Sequence, residues 1–281
     1  MSDNQALDFC KISVLARDDF VPPFFIGSQI RGALGYALKS IVCVKNATPC
    51  ESCEVAKSCV FFDFYGAQNV YHNFALDFKL GTPRYDFSIY LFGKAIENAG
   101  AILAALHKML CEIGLESSGK KLRFKDIVIF VNDEFCFGGK DIKMPLDFRQ
   151  TFSANGEFKK RVNLTLTTPL RIKKNNIFVR DSSLEISDIF RSIYQRKLAI
   201  LGKAQDKMPD FIGTITRKNL RYTELYRKSR AKGQMNLGGL LGEICIDDLD
   251  KDSYALLKIG ELIGIGKQCA FGLGRITICE A

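Results

Sequence analysis

The sequence predicts an α+β protein made of two tandem domains with the same order of elements. Alternating apolar residues, typical of strands, and apolar residues at helical spacing follow one another as strand, helix, strand, strand, helix, strand. This order occurs twice, and it is typical of the ferredoxin-like (RRM-like) arrangement. The 281 residues, 47% hydrophobic and 25% charged, provide enough material for two cores. We place the first domain at 1–155 and the second at 156–281.

The elements of the first domain follow from the spacing of its apolar residues. Ile26, Ile30, Leu34 and Leu38 recur at three- and four-residue intervals, which predicts the first helix. The predicted helices are 26–41 and 94–115, and the predicted strands are 7–15, 71–78, 85–92 and 124–131, the last followed by a Gly138-Gly139 hairpin.

The second domain repeats this order after a linker near 152–159. Ser182 or Ser183 is the expected cap of its first helix, because serine side chains satisfy free N–H groups at helix starts. The predicted helices are 182–201 and 252–263, and the predicted strands are 161–167, 177–180, 214–226, 239–246 and 270–279.

Charge is distributed unevenly along the chain. The net charge is +9, yet 1–155 carries 17 basic and 17 acidic residues, so the whole excess lies in 156–281. Within 171–232 there are 16 basic and 6 acidic residues. A basic excess confined to one half predicts a polyanionic partner. A lysine-rich solvated surface is the alternative.

Membrane insertion and secretion are not expected. No apolar stretch reaches the roughly 18–20 residues that span a bilayer. The first residues, Met1-Ser2-Asp3-Asn4, lack the basic start and apolar run of a signal peptide. We therefore expect a cytoplasmic protein with no membrane partner.

Four of the ten cysteines form a cluster in a loop at 43–59, directly after the first helix. Their spacing is C-x6-C-x2-C-x5-C, and four thiolates can hold a tetrahedral zinc ion. The candidate ligands are Cys43, Cys50, Cys53 and Cys59. A structural zinc is our prediction; an iron–sulfur cluster or no metal are the alternatives. Four thiolates fill the tetrahedron, so we expect no catalytic metal.

A glycine-rich loop at 264–274 is the first candidate for phosphate binding. It contains four glycines: Gly264, Gly266, Gly272 and Gly274. Glycine allows positive φ and close backbone approach, so exposed N–H groups, with Lys267 and Arg275, can hold phosphates. A P-loop is excluded by the order of elements, because this loop follows a helix and leads into a strand. A turn that needs glycine only for packing is the other interpretation.

The segment 217–232 is the second candidate for contact with nucleic acid. It holds seven basic residues and one acid, with tyrosines between them. Cations can follow phosphates while tyrosines stack on unpaired bases. As a hairpin it would bring alternate residues to one face. The candidate residues are Arg217, Lys218, Arg221, Tyr222, Arg227, Lys228, Arg230 and Lys232.

Several segments, in the expected order, resemble the endoribonucleases that cut CRISPR repeats, which belong to the RAMP superfamily. These segments are IGSQIRGALGYALK at 26–39, FSIYLFGKAIENA at 87–99, LTLTTPLRIKKNN at 164–176, LGGLLGEI at 237–244 and GIGKQCAFGLGRI at 264–276. The resemblance implies two ferredoxin-like domains that bind a repeat RNA, folded as a hairpin or single-stranded. It also implies metal-independent cleavage through 2′-hydroxyl attack, which leaves a 2′,3′-cyclic phosphate.

The sequence departs from this family at the position of the general acid/base. The family commonly places a histidine on or near the first helix, and 26–41 contains none. Arg31 and Lys39 can stabilise a phosphorane, and Tyr36 can position or deliver a proton. Of the two histidines, His72 is the catalytic candidate, while His107 lies beside the apolar face of a helix.

Three functions are weighed on these observations. The first is an endoribonuclease that processes precursor transcripts into guide RNAs. The second is a non-cutting RNA-binding RAMP subunit of a CRISPR effector complex. The third is an unrelated metal-containing protein, which a lack of RNA affinity at low salt would indicate.

Overall fold

The computed structural model describes residues 6–45, 49–66, 70–139, 141–154, 156–204, 206–229 and 233–280. The chain divides into two compact units. One unit is Phe9–Gln150, here called the N-terminal unit. The other is the described part of Thr151–Ala281 and of Met1–Asp8, here called the C-terminal unit.

The N-terminal unit contains one antiparallel sheet and two main helices. The sheet order is β2-β3-β1-β6-β7. Its elements are β1 (Ala6–Ala16), α1 (Gly27–Val42), β2 (Phe74–Asp77), β3 (Phe87–Phe92), α2 (Ala99–His107), β4 (Leu115–Ser117), β5 (Lys120–Leu122), β6 (Ile127–Val131) and β7 (Glu134–Phe137). A 3-10 turn, Gly93–Asn98, precedes α2, and a π turn, Lys108–Ile113, follows it. The predicted helix at 94–115 is thus one helical stretch of changing pitch that ends where β4 begins.

The core of this unit lies between the sheet and the helices. Ile12 in β1 pairs with Ile89 in β3 and Val131 in β6, and all three are fully buried. The apolar stripe of α1, including Ile30 and Leu34, is equally buried. The spacing that predicts α1 therefore also identifies its core face.

The hairpin of the N-terminal unit lies at a different place from the one predicted. β6 and β7 are joined at Asn132-Asp133, whose φ angles are 49° and 67°, and Val131 pairs with Glu134. Asparagine and aspartate tolerate this left-handed conformation, which two-residue hairpin loops require. The prediction of a hairpin at Gly138-Gly139 is wrong, because those glycines follow β7.

The C-terminal unit contains a four-stranded antiparallel sheet, two helices and two small hairpins. The sheet order is β12-β15-β9-β16. Its elements are β8 (Gln150–Ser153), β9 (Val162–Leu170), β10 (Lys173–Lys174), β11 (Ile177–Phe178), α3 (Ile186–Ile200), β12 (Thr214–Thr223), β13 (Tyr226–Ser229), β14 (Gly233–Asn236), β15 (Gly239–Asp247), α4 (Lys251–Ile263) and β16 (Ile276–Glu280). Counted along the chain, the main strands lie in the order second, third, first, fourth, as in the N-terminal unit.

Helix α3 begins later than the sequence predicts. Its N-cap is Glu185, which forms a capping box with Asp188: the Glu185 N–H donates to Asp188 Oδ2 at 3.1 Å. The predicted cap at Ser182 or Ser183 is wrong, because Ser183 lies in a turn in which its N–H donates to Asp181. Helix α4 begins after Asp250, whose side chain accepts from the Ser253 N–H at 2.7 Å.

The two faces of the C-terminal sheet differ in polarity. Leu164, Ile244 and Ile246 are fully buried on one face. On the other face, Arg217, Asn219 and Arg221 of the edge strand β12 are exposed. The sheet therefore presents a basic row to solvent. Throughout the described ranges, no helix has the length and apolar character needed to cross a membrane.

Candidate nucleic-acid interface

The glycine-rich loop packs inside the C-terminal unit. Its four glycines are buried and have positive φ. Their N–H groups donate to partners within the chain: Gly264 to Gly260 O, Gly266 to Ser192 Oγ, Gly272 to Cys269 O and Gly274 to Pro169 O, at 2.7–3.0 Å. The expectation that these N–H groups face a phosphate is therefore corrected: they serve the loop's own packing.

Close backbone approach explains why glycine is needed there. A Cβ on Gly266 would lie 2.5 Å from the Arg171 carbonyl oxygen, and one on Gly274 would overlap the Ile265 carbonyl. The loop thus packs directly on the end of β9, and its conformation is fixed by the fold.

The two cations predicted for this loop have different environments. Arg275 is 6% exposed and donates to the Leu262 carbonyl at 2.8 Å, next to Ile263, whose carbonyl accepts from Arg196 Nε at 2.8 Å. Both arginines therefore satisfy carbonyls that the end of α4 leaves without helical partners. Lys267 is exposed, while its N–H donates to Arg171 O.

Cations and aromatic rings meet at the end of the sheet where the glycine-rich loop lies. We call this group the basic end of the C-terminal unit. It comprises Arg171, Lys173, Phe178, Arg180, Tyr222, Arg227, Lys267 and Phe271. These residues come from the end of β9, the β10–β11 hairpin and the segment after it, the end of β12, β13 and the loop before β16.

The β10–β11 hairpin forms one side of the basic end. Asn175 and Asn176, with φ of 51° and 64°, make its turn. The guanidinium of Arg171 lies 4.1 Å from the centroid of the Phe178 ring, and Lys173 Nζ lies 5.1 Å from it. Arg171 also donates to the Gly238 carbonyl. The ring thus lies close to both a buried cation and an exposed one.

Strands β12 and β13 form the other side. The Arg180 guanidinium lies 5.1 Å from the Tyr222 ring, and the Arg227 guanidinium lies 4.7 Å from the Phe271 ring. Arg227 also donates to Met235 Sδ at 3.2 Å. These contacts join the β13–β14 hairpin to the glycine-rich loop.

Burial of positive charge gives the basic end its chemical character. Burial lowers the pKa of the Arg171 guanidinium; Tyr222 and Glu224 act in the opposite direction, and nearby Arg180 acts in the same direction as burial. Burial also lowers the pKa of Arg227. Arginine stays charged under such shifts, so cations with reduced solvation lie beside the exposed Lys173, Arg180 and Lys267. An anion at this surface would be favoured by all of them.

The segment 217–232 is divided by the fold and does not form one hairpin. Arg217 and Arg221 lie on the exposed face of β12, whereas Lys218 Nζ donates to the carbonyls of Ser182 and Leu184 on the other face. Tyr226 begins the β13–β14 hairpin and is 54% exposed. Arg230 and Lys232 lie outside the described residues, as does the side chain of Lys228.

Three of the four catalytic candidates lie on one aromatic cluster of the N-terminal unit. The rings of Phe61 and Tyr65 are stacked at 5.4 Å and 11°. The Arg31 guanidinium lies 4.8 Å from the Tyr65 ring, and Lys39 Nζ lies 5.5 Å from the Phe61 ring. Between these two cations on α1 stands Gly35, where a Cβ would lie 2.9 Å from Tyr65 Cε1.

His72 and Tyr36 complete the set of candidates. The His72 ring lies 5.7 Å from the Phe74 ring, which in turn lies 5.9 Å from Tyr65. Burial raises the pKa of Tyr65, and Arg31 acts in the opposite direction. Tyr36 is on another face of α1 and is 67% exposed. Tyr36 is therefore the most exposed of the four candidates, and it is the one that carries a hydroxyl.

The four clustered cysteines line one pocket. Its volume is about 300 Å³, and Cys43, Cys50, Cys53 and Cys59 all contribute to its wall. None of them forms a disulfide. Within the described residues, no three His, Cys, Asp or Glu side chains already stand close enough together to hold a metal ion.

Comparison with known proteins relates this geometry to a family. A family model described as the CRISPR-associated endoribonuclease Cas6 matches residues 164–276, which include the whole basic end and the whole glycine-rich loop. The matched segment of the C-terminal unit is therefore similar to the CRISPR repeat-processing family. A second family model, described as an N-terminal domain, matches residues 7–135.

Solved Cas6 structures share the fold over nearly the whole chain. A Cas6 product complex matches with a TM-score of 0.57 and 13% identity, covering 97% of this chain and 99% of that one. A Cas6-related protein from Pyrococcus furiosus matches with a TM-score of 0.51 and 12% identity, covering 98% and 99%. An uncharacterized protein of Archaeoglobus fulgidus is 21% identical over 287 residues, 92% of each chain.

Part of the basic end was not predicted from the sequence. The candidate residues did not include Arg171, Lys173, Phe178 or Arg180, although all four lie in the basic stretch 171–232. A usable signal was present: the pair Asn175-Asn176 between two short apolar-basic runs is typical of a tight hairpin, which brings its flanking side chains together.

Proposed function

We propose that this chain binds CRISPR repeat RNA and cuts precursor transcripts into guide RNAs. The observation that carries the proposal is the basic end, where exposed cations surround partly accessible rings within the segment that matches the Cas6 family. Phosphates would pair with Lys173, Arg180 and Lys267, and a base can stack on a ring beside them. Arg217 and Arg221 are also exposed, but they lie on the opposite face of β12 from Tyr222, so they would form a separate phosphate contact.

The proposed reaction is attack of a ribose 2′-hydroxyl on the adjacent phosphate, with release of the 5′-oxygen. It gives a 2′,3′-cyclic phosphate and needs no metal ion. The chemistry requires a group that accepts the 2′-hydroxyl proton, one that protonates the leaving oxygen, and positive charge at the phosphorane. We propose Tyr36 and His72 for proton transfer, and Arg31 and Lys39 for the charge.

The fold that supports this function is, in our proposal, a pair of ferredoxin-like units. The strand orders β2-β3-β1-β6 and β12-β15-β9-β16 support it, because both correspond to the strand-helix-strand-strand-helix-strand order along the chain. The contribution of each unit is also proposed: RNA contact by the C-terminal unit, and proton transfer by the N-terminal one.

The test uses end-labelled repeat RNA incubated with the protein in EDTA. We expect one discrete cut, and a product that becomes labelled at its 3′ end only after the cyclic phosphate has been opened and the resulting terminal phosphate has been removed. A second RNA carries a single 2′-deoxy nucleotide at the mapped position. It should bind with unchanged affinity and remain intact, because the nucleophile is missing.

Three other results of this cleavage test would each contradict a different part of the proposal. Tight binding with intact RNA would contradict cleavage and support a non-cutting subunit of an effector complex. Cutting of the 2′-deoxy RNA at the same position would contradict the 2′-hydroxyl mechanism. No affinity for RNA at low salt would contradict the proposal as a whole.

A further inference from the structure

The loop after α1 has almost no apolar core of its own. Among the described residues 43–45 and 49–59, only five are half-buried and the rest are exposed. Four of these five are the clustered cysteines, and the fifth is Ala56. A segment of this length without buried apolar side chains needs another source of stability, such as a disulfide or a metal ion.

Two short turns organise the backbone of the loop. The Cys53 N–H donates to the Cys50 carbonyl at 3.3 Å, and the Cys59 N–H donates to Ala56 O at 3.2 Å. Each bond closes a short 3-10 turn, so a cysteine follows each turn at its exit. All four cysteines are among the residues that line the 300 Å³ pocket.

The other cysteines have different environments. Burial raises the pKa of Cys10 to about 12, and it also raises the pKa of Cys111 and Cys136. Such thiols remain protonated at neutral pH and behave as apolar side chains. The four loop cysteines share one half-buried pocket instead, and none is paired in a disulfide.

We propose that Cys43, Cys50, Cys53 and Cys59 form a zinc site that stabilises this loop. On binding, four S–H protons leave to solvent and four Zn–S bonds form, which draws the pocket walls inward to tetrahedral distances. Lys45 also lines the pocket and pairs with Glu54 at 2.8 Å, so a cation lies beside the resulting dianionic centre.

The zinc site would also position the catalytic candidates on α1. Phe61 lines the cysteine pocket, stacks on Tyr65 and lies under Lys39. Fixing Cys59 therefore fixes the start of the aromatic cluster that contacts Arg31 and Lys39. This inference does not depend on RNA cleavage, and its test measures metal directly.

The test measures the metal content of the full-length protein, purified under reducing conditions from cells supplied with zinc. The metals are quantified by inductively coupled plasma mass spectrometry. We expect about one zinc ion per chain. The double variant Cys50→Ser/Cys53→Ser should lose it. The matched control Cys245→Ser/Cys279→Ser, which changes two accessible cysteines outside the loop, should retain it.

A second measurement uses only the wild-type chain, so it does not depend on the folding of a variant. Titration of the metal-free protein with Co²⁺ should give the visible bands of a tetrahedral thiolate site and should slow tryptic cleavage after the exposed Lys45 and Lys57. Equal zinc content in both double variants, or no Co²⁺ bands, would overturn the proposal. Iron and sulfide in place of zinc would overturn the choice of metal.

Discussion

At the residue scale, the same side chain has different functions in different environments. Arg275 and Arg196 are buried and donate to the last carbonyls of α4, so they belong to the architecture of the C-terminal unit. Arg180 is exposed above the Tyr222 ring and remains accessible to a ligand. Amino-acid composition alone cannot tell a buried structural arginine from an exposed one, because burial depends on the contacts that the fold provides.

The exposed hydroxyl of Tyr36 leads to a prediction about catalysis. Tyr36→Phe removes that hydroxyl and keeps the ring, so the single-turnover cleavage rate should fall about 10²-fold, as expected for loss of an acid or base. RNA affinity should stay within about twofold. Tyr226→Phe is the control, since Tyr226 is also exposed but lies in the C-terminal unit.

The pH–rate profile of the His72→Ala variant, compared with that of Tyr36→Phe, tests whether His72 and Tyr36 both transfer protons. If both proposed groups act, each variant slows cleavage and each changes a different limb of the pH–rate profile. Wild-type rates in both variants would contradict the proposed roles and leave the acid and base among other residues.

At the element scale, most helices and main strands could be predicted from apolar spacing within a few residues. The predicted last strand at 270–279 starts too early, because a 3-10 turn occupies Cys269–Phe271 and β16 begins at Ile276. Both hairpin turns of paired Asn or Asp residues, Asn132-Asp133 and Asn175-Asn176, needed turn chemistry that apolar spacing does not contain. The N-cap at Glu185 could not be predicted from cap preference, because serines stand just before it. The aromatic contacts of α1 depend on residues more than 20 positions away, and spacing carries no such information.

The glycine-rich loop illustrates why motif and role can differ. The glycines correctly indicate that another group lies close to the backbone of the loop. That group is the backbone of the same chain, at Arg171 and Ile265, and not a ligand. The role of the loop is then to place Phe271 and Lys267 at the basic end. In the proposed function, its contribution to RNA binding would be made through the exposed Lys267, because Phe271 is buried and the glycine N–H groups have partners within the chain.

This role predicts a large effect of Gly266→Ala on stability. The variant combines a φ of +81° with a Cβ 2.5 Å from Arg171 O, whereas Gly202→Ala has a φ of +65° and nothing within 4 Å. Positive φ costs about 1–2 kcal/mol, and the steric overlap adds about 1–3 kcal/mol. In thermal unfolding, Gly266→Ala should lower the midpoint well beyond Gly202→Ala, by about 2–4 °C per kcal/mol.

An equal effect of the two substitutions would contradict the packing described for this loop. In that case the Arg171 carbonyl would have to move away without cost, and the loop would be free to contact RNA through its backbone.

At the scale of the whole molecule, the excess of positive charge and the catalytic candidates lie in different parts of the chain. The nine-charge excess belongs to 156–281, where the basic end lies. The catalytic candidates belong to the N-terminal unit, where the cysteine loop supports them through Phe61 and Tyr65. Sequence composition could predict this separation, but not which cations reach the surface.

The most direct test of this account is the salt dependence of repeat-RNA binding, measured by fluorescence anisotropy. Lys173, Arg180 and Lys267 are replaced together by alanine, and the matched control replaces Lys120, Lys121 and Lys125, which are equally exposed in the N-terminal unit. Since each phosphate contact to single-stranded RNA contributes about 0.7 to the log–log slope, the basic-end variant should flatten it by about 2 units and weaken binding at low salt. The control should keep the wild-type slope. A basic-end variant that binds with the wild-type slope and affinity would contradict the account.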